Sequence, residues 1–218
     1  MSILSEVSVF LDGIPEWLSS FITALIGAVI GGMFTLRGVD REAKISRAEA
    51  DKEALELQLS VLKGVKGEVS TLINLYNKRM QHRIENISPG EILDVIFPIG
   101  DDNFTFYEQN AKIIAKLNDT PRDSIINIYT YARSLIQSFK GNNQLVAEYE
   151  KIIFDMADNN KNKEMYEKLH AAKIEVMSDY AQGIKAIDAE LREVVDTGFN
   201  VINQEIAALQ VRLTNSAR

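Results

Sequence analysis

The sequence predicts an all-α protein: a single N-terminal transmembrane helix, then a long antiparallel helical hairpin that is coiled-coil-like, with a cap of shorter helices. Three observations predict this class. Residues 17–36 carry no charge, and only four prolines occur among the 218 residues. Further along the chain, apolar residues recur at steps of three and four, which is the spacing of a helix that buries one face.

The uncharged residues 17–36 set the expected location of the protein. At ~1.5 Å of rise per residue they form ~30 Å of helix, which matches the hydrocarbon thickness of a bilayer. A cleaved signal peptide normally begins with a basic part, whereas the residues ahead of this stretch include no Lys or Arg. We therefore expect residues 17–37 to be a retained transmembrane helix.

Basic residues collect immediately after the predicted span. They are Arg37, Arg41, Lys44, Arg47 and Lys52. Because the side richer in Lys and Arg stays in the cytoplasm, residues 38–218 are predicted to form a cytoplasmic domain, with the N-terminus outside. The expected location is the bacterial inner (cytoplasmic) membrane, crossed once. Residues 1–16 carry apolar side chains at helical spacing, which fits either an extracytoplasmic amphipathic helix or a frayed tail.

Residues 38–84 are predicted to continue the membrane helix as a stalk. Opposite charges at helical spacing cover residues 38–54. Beyond them lies an apolar seam made of Leu59, Leu62, Val65, Val69, Leu72, Tyr76 and Met80. Gly64 and Gly67 interrupt the seam, and each costs about 1 kcal/mol in a helix interior. Either a partner helix comes close there or the stalk bends.

Residues 85–160 are predicted to form the distal cap. Turn residues at 86–90 and 97–100 stop the stalk and enclose one short apolar turn of helix. A further helix should then end at Leu117.

The next helix has a clear predicted start. Thr120 suits the N-cap position and Pro121 the first helical position. This helix should end at Gly141, because glycine commonly terminates helices. Another helix is expected over residues 144–157.

Residues 161–214 are predicted to form one very long C-terminal helix. Its apolar positions are Tyr166, Leu169, Val176, Met177, Tyr180, Ile184, Ile187, Leu191, Val195, Phe199, Ile202, Ile206, Leu209 and Leu213. At ~1.5 Å per residue the stalk helix would be ~65 Å long and this helix ~75 Å. The matched lengths suggest that the two form the hairpin and that the C-terminus returns toward the membrane. Gly198 is a candidate kink.

Small residues form two adjacent stripes on the predicted membrane helix. They are Ser20, Thr23, Ala24, Gly27, Ala28, Gly31, Gly32 and Thr35. Small residues let two membrane helices approach closely, so this face is predicted to drive homo-oligomer formation. Two readings stay open beside it: a lone helix in lipid, and a pore formed when several copies turn Ser20, Thr23 and Thr35 inward.

Residues that usually carry catalysis or bind metals are scarce in this chain. There is no cysteine, and His82 and His170 are isolated in the sequence. We therefore expect no catalytic residue, no cofactor-binding residue and no metal. A net charge of −7 also argues against nucleic acid as a partner, because phosphate binding needs a basic face.

Polar and aromatic residues are densest in the presumed cap. The candidate partner surface consists of Tyr107, Glu108, Asn110, Tyr131 and Arg133. These side chains are either core aromatics with polar groups at the rim or a surface that binds a cytoplasmic protein partner.

Two motifs in this region resemble a pattern of a known group of proteins. They read Phe106-Tyr107-Glu108-x-Asn110-x-x-x-Ile114-x-x-Leu117 and Ile128-Tyr129-x-Tyr131-Ala132-x-Ser134-Leu135-Ile136. The pattern is similar to that of uncharacterised single-pass membrane proteins of bacteria and their mobile elements. Together with the glycine-rich anchor it covers about half of the chain. The resemblance implies a bacterial or phage setting, in defence against invading DNA.

The function predicted from the sequence is a non-enzymatic, membrane-anchored helical scaffold, tether or signal adaptor that self-associates in lipid. One alternative is an oligomeric pore-forming or membrane-disrupting effector. A second is an uncharacterised enzyme in the distal cap.

Overall fold

The structure is a computed structural model that describes residues 16–100, 103–158 and 162–216. In this part of the chain every regular element is a helix, which confirms the predicted all-α class. The elements are α1 (Glu16–Tyr76), a π-helical turn (Asn77–Gln81), α2 (His82–Glu85), α3 (Thr105–Gln109), α4 (Ala111–Ile114), α5 (Asp119–Asp158) and α6 (Lys163–Ser216). The amphipathic segment predicted for residues 1–16 falls, but for its last residue, outside the described residues.

The chain divides into two compact units, Met1–Ala54 and Leu55–Arg218. In the first unit, the described residues 16–54 belong to one uninterrupted helix. An 18-residue window within the helical stretch Thr23–Glu85 has a mean hydropathy of 1.2, and none of that window is buried. One N-terminal helix is therefore long and apolar enough to span a membrane, as the sequence predicts.

In the second unit, α5 and α6 lie side by side and antiparallel. Ile128 of α5 packs on Gly198 of α6, with its Cδ1 atom 2.6 Å from the position that a Cβ would occupy. Further along α5, Glu148 accepts a hydrogen bond from Lys173 at 2.7 Å. Gly198 therefore permits a close helix approach, and α6 continues through it as a single helix rather than ending there.

The part of α1 in this unit runs antiparallel to α6. Lys66 Nζ donates to Asn203 Oδ1 at 2.7 Å, and Tyr76 Oη donates to Asp188 Oδ1 at 2.6 Å. The core between α1, α5 and α6 follows the predicted apolar stripes. Its most buried side chains include Leu62, Val65, Ile125, Ile128, Tyr129, Phe139, Met177, Ile184, Ile202 and Leu209.

Part of the predicted C-terminal stripe is not in this core: Tyr166 and Leu213 are half-buried outside it, and two other residues are exposed. Leu169 is 44% exposed and Val176 is 52% exposed. The chain that follows α1 meets α6 near Lys185, whose Nζ donates to the Ile87 carbonyl at 2.8 Å. The residues of α6 that precede Lys185 pack on α5. Their side chains that point away from α5, such as Leu169 and Val176, are therefore exposed to solvent.

The predicted end of a helix at Gly141 is wrong, because α5 continues to Asp158. The missing side chain of Gly141 makes room for the Tyr180 hydroxyl of α6. Asn142, which follows it, is fully buried and bonds to the carbonyls of Leu93 and Val95. Tertiary contacts thus stabilise residues that would locally favour a helix stop.

The short apolar turn of helix predicted between residues 90 and 97 is also wrong. Residues 91–100 hold no regular secondary structure, and their side chains alternate between the core and solvent. The helix expected to end at Leu117 is divided into α3 and α4 at Asn110, whose φ and ψ are −106° and 9°.

The structure does not confirm the finer prediction of a hairpin of the two longest helices capped by residues 85–160. α5 is long enough to lie along α6 instead of sitting at its tip. Residues 87–100 and 103–118 lie against α1 and α5, so that Phe97 contacts Asn143 of α5 and Phe106 contacts Gly64 of α1. These residues cover the groove between α1 and α5.

Candidate functional site

The small-residue face predicted for self-association lies in the first unit. Its members are all exposed: Ser20, Thr23, Ala24, Gly27, Ala28, Gly31, Gly32 and Thr35. A Cβ added at Gly27, Gly31 or Gly32 would meet no atom within 4 Å. Thr35 Oγ1 donates to the Gly31 carbonyl at 2.9 Å, so this hydroxyl is satisfied within its own helix. A second helix has room to approach the backbone here.

Aromatic and charged side chains of the second unit meet in what we call the tyrosine cluster, made of Glu68, Phe104, Tyr107, Tyr129 and Arg133. The rings of Tyr107 and Tyr129 stack with centroids 3.9 Å apart. Phe104 meets Tyr129 edge-on at 5.1 Å. The Arg133 guanidinium lies 5.5 Å from the Phe104 centroid and 5.8 Å from the Tyr107 centroid, within the range of cation–π attraction.

Glu68 of α1 caps the N-terminus of α3. Its carboxylate accepts hydrogen bonds from the backbone N–H of Phe106 at 2.8 Å and of Tyr107 at 3.2 Å. The first N–H groups of a helix lack partners within it, and a negative charge there also interacts favourably with the helix dipole. The Tyr129 hydroxyl donates to the same carboxylate at 2.6 Å. One side chain thus ties α1, α3 and α5 together.

Burial raises the pKa of the Tyr129 hydroxyl above its ordinary value, and the hydrogen bond and charge of Glu68 raise it further. A phenol whose ionisation is opposed in this way remains a donor across the physiological pH range. The hydrogen bond from Tyr129 to Glu68 is therefore suited to a structural role, because ionisation of the hydroxyl is opposed.

The structure brings together three of the five residues predicted as a partner surface. Tyr107 and Arg133 belong to the tyrosine cluster, and Glu108 Oε1 accepts from Arg133 Nη2 at 2.7 Å. Both charged side chains are half exposed, at 50% and 63%. Such an exposed ion pair contributes little to stability, so these groups remain able to bind elsewhere.

The other two residues of that predicted surface lie apart from the ion pair. Asn110 closes α3, with its Nδ2 donating to the Phe106 carbonyl at 2.8 Å. Tyr131 lies two residues after Tyr129, and a helix turns nearly to its opposite side over that distance. Tyr131 is partly buried against the core.

A second group of polar contacts joins α1 to α6. Asp188 is 3% exposed, and it accepts from Tyr76 and, at 2.9 and 3.1 Å, from the Nε and Nη2 atoms of Arg192. Burial raises the pKa of Tyr76, and the bond to Asp188 raises it further. For Arg192, burial lowers the pKa, but the bond and charge of Asp188 outweigh it and the pKa is raised.

Residues 91–100, which we call the strap, occupy the groove between α1 and α5 in an extended form. Leu93 is buried, and Val95, Phe97 and Ile99 pack against the core. Ile96 between them points outward and is 52% exposed. The strap therefore inserts alternate side chains, as an extended chain does.

Two asparagines of α5 hold the backbone of the strap. Asn142 Nδ2 donates to the carbonyls of Leu93 at 3.0 Å and Val95 at 3.2 Å. Asn143 Oδ1 accepts from the Phe97 N–H at 2.9 Å, and its Nδ2 donates to the Phe97 carbonyl at 2.8 Å. These hydrogen bonds engage only main-chain groups of the strap, so they do not depend on which side chains the strap carries.

An apolar cavity of about 250 Å³ adjoins the C-terminal half of the strap. Phe97 and Ile99 form one wall, and the buried Leu191 of α6 lies at its inner end. The remaining lining is mostly aliphatic and aromatic, from α1 and α5.

The sequence reasoning missed the strap and its two asparagines. The signal was present: Leu93, Val95, Phe97 and Ile99 alternate with other residues at a period of two, which predicts an extended chain with one buried face. Glu68 carried no comparable signal, because a charged residue beside a helical seam normally faces solvent.

Of the two histidines, His170 has an aromatic neighbour in the structure. His170 Nε2 lies 3.2 Å from the Tyr149 hydroxyl, and the two rings are 5.3 Å apart. Among the described residues, no group of three His, Cys, Asp or Glu side chains is arranged to hold a metal ion.

Comparisons of the chain with protein-family models, with curated proteins and with solved structures find no match.

Proposed function

We propose that the chain is a non-enzymatic scaffold, tether or signal adaptor, anchored in the bacterial inner membrane by one helix and self-associating through it. Residues 1–16 lie outside the cytoplasm and the helical domain lies inside. Lipid surrounds the span, a second copy packs on its small-residue face, and a cytoplasmic protein binds the domain.

The observation that carries this proposal is the exposure of the apolar part of α1. From Phe21 to Leu36, the large side chains that the structure describes are half exposed or more, and Phe34 and Leu36 reach 69% and 67%. A continuous apolar surface of this kind is unfavourable in water and favourable in hydrocarbon. A helix also satisfies its own backbone hydrogen bonds, as a single span in lipid requires.

The distribution of basic residues supports the proposed orientation. Arg37, Arg41 and Lys44 follow the apolar residues within two turns, whereas residues 1–16 contain no Lys or Arg. This asymmetry is the feature that normally keeps the C-terminal side in the cytoplasm.

The hydrogen bonds of two carboxylates within the second unit support a non-enzymatic role. Glu68 and Asp188 are each engaged by donors from other helices or from their own helix. The tyrosines that contact them have raised pKa values, which opposes proton transfer near neutral pH. These groups hold helices together rather than activate a nucleophile.

Crosslinking in native membranes tests self-association. We expect dimers or larger species for the unmodified chain, and a marked loss of them for Gly27→Leu combined with Gly31→Leu, because two large side chains would prevent close approach. The matched control is Val29→Leu with Met33→Leu, which has the same spacing on the opposite side of the helix and should leave the crosslinks unchanged. An unchanged monomer band for all three proteins would contradict the proposal.

The resemblance to single-pass proteins of bacteria and their mobile elements supports a setting in phage defence. We expect that removing the gene from a host changes the efficiency of phage infection, while the membrane potential of expressing cells stays normal. Collapse of the potential on expression would instead indicate a pore.

A further inference from the structure

We propose that the groove between α1 and α5 is a binding site for an extended peptide with apolar residues at alternate positions, and that the strap is its built-in competitor. This inference concerns contacts within the second unit alone, so it stands or falls independently of the membrane anchor.

Two asparagines of α5 carry the chemistry that recognises an extended chain. Asn142 and Asn143 direct their amides at the carbonyls of Leu93 and Val95 and at both main-chain groups of Phe97. An amide that both donates to and accepts from one residue's backbone recognises an extended chain of any sequence. Asn142 is fully buried, and its Nδ2 atom is satisfied by the two carbonyls only while such a chain lies in the groove, whereas its Oδ1 atom has no partner among the described residues.

The backbone of the strap is held by side chains of α5, and not by backbone hydrogen bonds of its own. Outside helices, the backbone hydrogen bonds among the described residues include none within residues 92–100. Gly90 at its start has a φ of +88°, and neither there nor at Gly100 would a Cβ meet an atom within 4 Å. Departure of the strap would therefore break no backbone–backbone hydrogen bond within residues 92–100.

The strap does not fill the groove completely. The cavity of about 250 Å³ lies beside Phe97 and Ile99, the last inward side chains of the strap. At about 30 Å³ for each water-sized group, it has room for roughly eight such groups. A peptide with a larger side chain at this position would bury more apolar surface than the strap does.

The partner we infer is therefore a peptide in extended form, with apolar side chains at three or more alternate positions and its bulkiest group toward the cavity. Its outward side chains are unrestricted, because the corresponding Ile96 of the strap faces solvent.

The test uses thiol labelling of the full chain in nanodiscs of phosphatidylethanolamine and phosphatidylglycerol. The chain has no cysteine, so Val95→Cys reports exposure of the strap's inner face alone. The probe is a synthetic peptide with the sequence of residues 91–100. The control peptide carries serine at the four inward positions.

We expect the labelling rate of the Val95→Cys protein to rise with the concentration of the probe and to reach a plateau, while the control peptide has no effect. The matched variant Ile96→Cys should label rapidly with or without peptide. Adding Asn143→Ala removes two hydrogen bonds from the strap, so labelling without peptide should rise. The probe loses the same two hydrogen bonds, so the peptide concentration for half the effect should change little.

A labelling rate that is independent of probe concentration overturns the proposal, as does a probe that binds without exposing residue 95. Labelling that rises with protein concentration alone would assign the groove to a second copy and overturn the choice of partner. If the cysteine variant does not fold, hydrogen exchange at the Phe97 amide of the unmodified chain supplies the same readout, and its protection must fall when the probe is added.

Discussion

The Tyr129 hydroxyl of α5 donates to the Glu68 carboxylate of α1 at 2.6 Å, in a partly buried contact. The same carboxylate caps α3 through two backbone N–H groups. Removing Glu68 would therefore leave three donors from two other elements without their acceptor. A buried donor without a partner is more costly than an absent hydrogen bond.

We predict that Glu68→Gln lowers the free energy of unfolding by about 1.5–3 kcal/mol, the range for hydrogen bonds to a charged group. An amide retains one acceptor oxygen but presents an NH₂ group to the remaining donors. Denaturant unfolding of the full chain in detergent micelles, followed by circular dichroism, measures the change. Glu175→Gln is the matched control, because this residue is exposed on α6. Equal effects of the two substitutions would contradict the role given to Glu68.

Two glycines one turn apart on α1 should respond with opposite signs to the same substitution. The position that a Cβ would take at Gly64 is occupied by the Phe106 ring, whereas at Gly67 no atom lies within 4 Å. Gly64→Ala should therefore destabilise the second unit. Gly67→Ala should stabilise it by up to about 1 kcal/mol, because alanine favours the helix. Thermal or denaturant unfolding of both variants checks this, and the same sign for both would contradict the packing described.

Stability should fall at alkaline pH because of Tyr76 and Tyr129. Both native pKa values are raised above the ordinary 10.0, first by burial and then by Asp188 and Glu68 respectively. Above pH 10 the unfolded chain loses these protons while the native chain keeps them. The stabilisation is thus complete below that pH and is lost as the pH rises toward the native pKa values.

The expected slope is at most ~1.4 kcal/mol per pH unit for each tyrosine. Unfolding free energies measured at several pH values above 10 give this slope. The variant Tyr76→Phe with Tyr129→Phe should lose most of it. An identical pH dependence in the variant and the unmodified chain would show that these two hydroxyls are not the cause.

Helix periodicity alone predicts most of the bundle. The apolar stripes of α1, α5 and α6 become the core because each is long enough for its 3.6-residue period to dominate. The exceptions have local causes that only tertiary structure reveals. Gly141 and Asn142 look like a helix stop, yet their contacts with Tyr180 and the strap reverse that preference.

The candidate site was only partly predictable for a similar reason. Tyr107, Glu108 and Arg133 were foreseen as a polar surface and do meet in space. Their organisation depends on Glu68, which lies 39 residues before Tyr107 in the chain. No local pattern connects two residues so far apart, so the shared carboxylate becomes evident only in the folded chain.

The most direct test of the proposed membrane anchor and its orientation is protease treatment of a C-terminally tagged chain in spheroplasts and in inverted membrane vesicles. We predict that the tag survives protease added to intact spheroplasts, is removed in inverted vesicles, and sediments with the membranes in both. Recovery of the intact chain in the soluble fraction, or loss of the tag in intact spheroplasts, would contradict the proposal.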